Sequence, residues 1–90
     1  MKVFHQDPND RLDYLMDWAA EMARITDTIS ASEWTVPAPL SSDEDSFDNT
    51  SATVWLLDGA AGATYIVSNK VTTVGGRVIE RSFKVHVLEL

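Results

Sequence analysis

Apolar and polar residues alternate most regularly in the C-terminal half of the chain. Tyr65, Val67 and Val71 fall at alternate positions of Thr64–Thr73, and Ile79, Phe83, Val85 and Val87 do so in Val78–Leu88. This period-two pattern predicts half-buried strands. Ser51–Leu57 is a third strand, in which Ala52, Val54 and Leu56 alternate with Thr53, Trp55 and Leu57. Its two fairly apolar faces suit a central strand or one covered by a partner. Gly75-Gly76 marks a hairpin between the last two strands. A two-residue loop would set Val67 opposite Lys84 and turn charges against the core. A three-residue loop, Val74-Gly75-Gly76, instead pairs Tyr65 with Val85, Val67 with Phe83 and Val71 with Ile79. It also sets Lys70 opposite Glu80 and requires Gly76 in the left-handed conformation. Asn69 and Arg81 then turn inward, which predicts polar partners near the sandwich rim. Asp58–Ala63 has to carry the chain over the end of the sandwich, and Tyr65 follows that Gly-containing corner, the position of a tyrosine corner.

The N-terminal half is less regular. Residues 1–10 read as an arm: Lys2–Gln6 can add a short edge strand, and Asp7-Pro8-Asn9-Asp10 then starts a turn. Residues 11–90 read as one domain. Between Arg11 and Ile25, Leu12, Leu15, Met16, Ala19, Met22 and Ala23 fit a helical face, whereas Leu12, Tyr14, Met16 and Trp18 fit a strand face. The surrounding sandwich favours a strand over Leu12–Trp18 and a helical turn over Ala19–Arg24. Asp27–Val36 is rich in β-branched and hydroxyl residues. Ile29 and Ala31 are out of phase with Trp34 and Val36, which predicts a bulge near Ser32-Glu33. Pro37-Ala38-Pro39 stops the ladder, because proline cannot donate. Leu40–Thr50 reads as an acidic loop with a short edge strand around Ser46–Asn49. The expected fold class is all-β: an immunoglobulin-like β-sandwich of about seven strands.

The chain has 90 residues, no cysteine and a net charge of −7. Its size allows one modest core and its composition excludes disulfides. The acidic balance argues against nucleic-acid binding. Met1–Asp7 lacks the apolar stretch of a signal peptide, and no apolar run reaches membrane-spanning length. Asp43-Glu44-Asp45 with Asp48 lacks the glycine and closing glutamate of a calcium loop, so a solvated acidic loop is expected. His5 and His86 stand without cysteine or further metal-ligand spacing, and no nucleophile elbow accompanies them. Asp13 and Asp17 flank one strand face like glycosidase carboxylates, but so short a chain shows no cleft for them. The turn glycines precede no helix, so none forms a phosphate loop. Trp18, Trp34, Trp55 and Tyr14 suggest a sugar-stacking platform, but in a small sandwich they serve more often as core or interface anchors. The residues themselves point to no enzyme, metal or cofactor.

Several blocks together resemble a known family. They are Leu12-Asp13-Tyr14 with Asp17-Trp18, Asp27-Thr28-Ile29 with Ser32 and Trp34-Thr35-Val36-Pro37, and Thr53-Val54-Trp55-Leu56. Gly62 with Thr64-Tyr65, Val71-Thr72-Thr73, and Gly76-Arg77 with Glu80-Arg81-Ser82-Phe83 continue the pattern. From about Asp7 to Leu88 the chain resembles the phage fibre-tail adaptor group, small proteins of virion structural gene clusters. The resemblance implies an immunoglobulin-like sandwich, an extended Leu12–Trp18 and no catalytic residues. The helix-forming Ala19–Ile25 departs from its shorter, more polar connection. It implies a non-catalytic virion protein, assembled in the host cytoplasm, that joins tail, neck or fibre components; a homo-oligomer is compatible with this role. Expected partner-binding residues are Val3, Phe4, Phe47 and Trp55. A carbohydrate-binding module aiding adsorption and a capsid decoration protein are the alternatives.

Overall fold

The computed structural model describes residues 1–90. Its elements in chain order are β1 (Val3–Gln6), β2 (Leu12–Asp17), α1 (Ala19–Ile25), β3 (Ile29–Thr35), β4 (Ser41–Phe47), β5 (Ser51–Leu57), β6 (Thr64–Thr73) and β7 (Val78–Val87). They form a four-stranded sheet in the order β1-β7-β6-β3 and a three-stranded sheet in the order β2-β5-β4. The chain crosses between sheets through α1, through Pro37–Leu40 and at the Asp58–Ala63 corner. With β2, β5 and β4 as strands B, E and D, and β3, β6 and β7 as C, F and G, this is the immunoglobulin arrangement. β1 joins the edge of the larger sheet, parallel to β7.

The β6–β7 register is the one the alternation requires. Tyr65 faces Val85, Val67 faces Phe83, Val71 faces Ile79 and Lys70 faces Glu80. Gly76 has φ +88°, a conformation that glycine adopts without steric cost. The ammonium of Lys70, however, reaches across to Glu33 on β3 (3.8 Å). The tyrosine corner is present: the Tyr65 hydroxyl accepts a hydrogen bond from the Ala60 N–H (3.0 Å). Alternate residues of both sheets meet in one core that includes Met16, Leu56, Val67 and Phe83. β5, the central strand of its sheet, sends Ala52, Val54 and Leu56 inward and Thr53, Trp55 and Leu57 outward.

Two expected strand features change. The bulge in β3 falls at Ser30, between Ile29 and Ala31, and not at Ser32-Glu33. Ala31 consequently joins the outer face, while Ser32, Trp34 and Val36 turn inward. The acidic segment is a strand over Ser41–Phe47, not a loop with a short strand at Ser46–Asn49. Pairing with β5 satisfies the backbone groups on one side of it, and an edge with both faces near solvent needs no apolar alternation. Asp48 then closes the turn, accepting hydrogen bonds from the N–H groups of Thr50 and Ser51. Residues 1–10 supply the short edge strand expected within Lys2–Gln6 as β1, and the side chain of Gln6 is fully buried.

Asn69 does turn inward, but into the interior and not to the rim. It is fully buried and accepts a hydrogen bond from Trp18 Nε1 (2.8 Å). Its amide donates to Ser32 Oγ (2.9 Å). Arg81 stays at the surface with its guanidinium 4.7 Å above the Trp18 ring, paired with Glu21. Trp18, at the junction of β2 and α1, thus ties one sheet to β6 of the other. At the opposite end Gln6 donates to the Leu56 carbonyl (2.9 Å) and accepts from the Tyr14 hydroxyl (2.8 Å). Burial pushes the Tyr14 phenol pKa up, and Asp10 adds to the effect. Asn69→Ala leaves the Trp18 N–H buried without an acceptor and should cost about 2–3 kcal/mol, read as a lower urea midpoint with unchanged slope.

Asp27, just before β3, fastens the β6–β7 hairpin. Its side chain is almost covered, only 6 % exposed. Hydrogen bonds from the Thr73 side chain and the Thr28 N–H hold its pKa down, from the ordinary 3.8 to about 2. The Gly75 N–H and Arg77 guanidinium add to this. A Cβ on Gly75 would lie 2.7 Å from the Asp27 carboxylate, so a side chain there would displace it. A depressed folded-state pKa contributes stability above the unfolded value that is lost as pH falls through the folded one. The urea midpoint of the wild type should therefore drop between about pH 4 and pH 2. Asp27→Asn should be less stable at pH 7 and show a flatter profile across that window.

Candidate functional site

The surfaces available for docking follow from the two sheets. Charge is divided unevenly between them. β2 and β4 carry Asp13, Asp17, Asp43, Glu44 and Asp45 and no base, whereas the larger sheet sets Lys70, Arg81 and Lys84 against Glu33 and Glu80. Exposed apolar side chains interrupt both faces. Leu15 and Phe47 lie on the smaller sheet, and Val3, Ile66 and Val78 on the larger.

Trp55 stands in the middle of the smaller sheet's outer face. Its row runs Asp13–Trp55–Glu44 across β2, β5 and β4. The Arg11 guanidinium lies 4.4 Å above its ring. Asp43 holds Arg11 there through a two-pronged contact, with Nε 2.9 Å from one carboxylate oxygen and Nη2 3.0 Å from the other. Glu44 lies 3.3 Å away. The hydrogen bond from Arg11 holds the Asp43 pKa below the usual carboxylate value. A planar cation stacked on an indole between carboxylates makes an amphipathic patch suited to protein contact. It also removes Asp43 and Glu44 from any open cluster of oxygens.

The expected partner residues fall in different places. Val3 is exposed and shares an outer row with Lys84 and Ile66. Phe4 points the other way, into a cluster with Tyr14 and Phe83, with ring centroids 5.0 and 5.3 Å distant. Phe47 is 46 % exposed at the end of β4. Trp55 is partly covered, and Val3 belongs to the other sheet, so Val3, Phe47 and Trp55 do not form one patch. The tryptophans do not assemble a stacking platform. Trp18 and Tyr14 are buried, Trp34 faces inward against Phe83, and Trp55 alone lies on an outer sheet face. The buried Nε1 of Trp34 has no hydrogen-bond partner. His5 and His86 are register partners with ring centroids 5.7 Å apart, a pairing visible only once β1 is placed beside β7. The described helix is too short and polar to cross a membrane.

The chain is a small immunoglobulin-like domain with a modest core and exposed apolar side chains on both sheets. The family described as podophage GP4 fiber-tail adaptor protein gp77 matches residues 6–86. The chain belongs to this fibre-tail adaptor family, and the match supports a structural adaptor role in the virion. No curated protein sequence matches the chain.

Arg11→Ala should uncover Trp55 with little change in the unfolding midpoint, since exposed ion pairs contribute little. Acrylamide quenching of tryptophan fluorescence should rise. An unchanged quenching constant would show that Arg11 does not shield the ring.

Proposed function

We propose that the protein is a non-catalytic virion adaptor joining tail, neck or fibre components through protein–protein contacts. The family match across nearly the whole chain carries this reading. Three surfaces support it: Val3 at the rim of the larger sheet with Phe4 beneath it, Phe47 beside the acidic edge of β4, and Trp55 under Arg11. Aromatic and arginine side chains dominate the energetics of many interfaces. Multivalent attachment on a symmetric particle lets weak single contacts suffice.

The test is proteomics of purified particles, comparing intact virions with separated tails. Retention on isolated tails is the expected result, and cross-linking then names the neighbour. Finding the protein on heads alone would favour capsid decoration, and absence from particles would end the adaptor reading. Phe47→Ala and Trp55→Ala should each lower retention about tenfold or more if they anchor the contact, with the isolated domain still folded.

A further inference from the structure

Four strands lie at sheet edges: β1 and β3 on the larger sheet, β2 and β4 on the smaller. An edge strand presents unpaired N–H and C=O groups, and folded proteins usually blunt it. Here three of the four are blunted. β1 has 4 residues. β3 bulges at Ser30 and runs into Pro37. β4 bulges at Asp43 and carries three consecutive acids. β2 has no bulge, and its two charges, Asp13 and Asp17, are set apart and not consecutive. It runs in unbroken register with β5 from Leu12 to Asp17 and contains no lysine or proline.

The Trp18 N–H donates to the Thr50 carbonyl, which extends the same register. Antiparallel pairing alternates, so Tyr14 and Met16 direct their backbone groups at β5. The N–H and C=O groups of Asp13, Leu15 and Asp17 therefore point to the open side. Beneath that side lies a groove of about 370 Å³ between β2 and the β1–β7 edge, lined by the apolar Phe4, Met16 and Phe83 and by the charged Lys2, Asp17 and Arg81. Leu15 is 59 % exposed on the outer face, flanked there by Asp13 and Asp17.

We propose that the free edge of β2 accepts an extended segment of a partner protein whose residues run basic–apolar–apolar–apolar–basic. This is strand addition, in which main-chain hydrogen bonds supply affinity and alternate side chains supply specificity. Residues opposite Tyr14 and Met16 drop toward the groove and are apolar. The residue opposite Leu15 packs on it and is apolar. Those opposite Asp13 and Asp17 are basic, because opposite charges directly across a ladder attract and like charges repel. The same argument disfavours a second copy. An antiparallel β2–β2 pair centred on Leu15 sets Asp13 against Asp17 twice. The inference rests on the docking role proposed above and specifies the partner's chemistry.

The test titrates the isotope-labelled full chain with two synthetic peptides, Thr-Lys-Val-Ile-Val-Lys-Thr and its counterpart with glutamate in place of lysine. The lysine peptide should slow amide hydrogen exchange at Asp13, Leu15 and Asp17 and bind roughly tenfold more tightly than the glutamate peptide. Asp13→Lys with Asp17→Lys should reverse that preference. Leu15→Pro removes an N–H that serves no partner in the isolated fold and should abolish binding with little change in the unfolding midpoint. Unaltered exchange at the three amides, or equal binding of the two peptides, would overturn the proposal. Peptide protection decides the edge, whereas particle fractionation decides the adaptor role, so the two can fail separately.

Discussion

The hydrogen bond from Trp18 to Asn69 is the contact on which the rest of the sandwich depends. Its two ends belong to different sheets, and both side chains are buried. A buried polar pair is stabilising only when satisfied, so the bond specifies one relative placement of the sheets more sharply than apolar packing can. Sliding β6 by one residue would put the outward-phase Ser68 or Lys70 in place of Asn69 and orphan the indole N–H. The same tryptophan caps the core under Arg81 and starts α1, whose buried Met22 closes that end of the core. Gln6 does equivalent work at the other end by joining β1, Tyr14 and Leu56.

With both ends of the sandwich tied, the outer faces are free to serve recognition. The smaller sheet carries acids interrupted by Leu15 and Trp55, and the larger mixes both signs. Asp43 and Glu44 give up part of their charge to Arg11, which lies on Trp55. That stack places a paired cation at the centre of the acidic face.

The candidate surface was legible only in part. Exposed Val3 and Phe47 follow from strand phase and from position near an element's end. Phe4 does not, because its role depends on β1 lying parallel to β7, a long-range pairing with no local signature. The cover over Trp55 also escapes the sequence, since Arg11 meets Asp43 across 32 positions of chain. The acidic run looked like a loop because an edge strand with two solvated faces has no alternation to read.

What the sequence by itself determined was local. Alternation set β5, β6 and β7 and the register of the last hairpin, the Gly75-Gly76 pair marked its turn, and a tyrosine after a glycine-bearing corner marked the Tyr65–Ala60 contact. Each of these rests on side-chain period or backbone conformation within a few residues. Tertiary structure decided what depends on partners far along the chain. It moved the β3 bulge to Ser30, made a strand of Ser41–Phe47, drew Gln6 into the core and gave Asn69 the Trp18 indole. It also left β2 with an open edge, because sheet order depends on which strands meet, and that is a property of the whole chain.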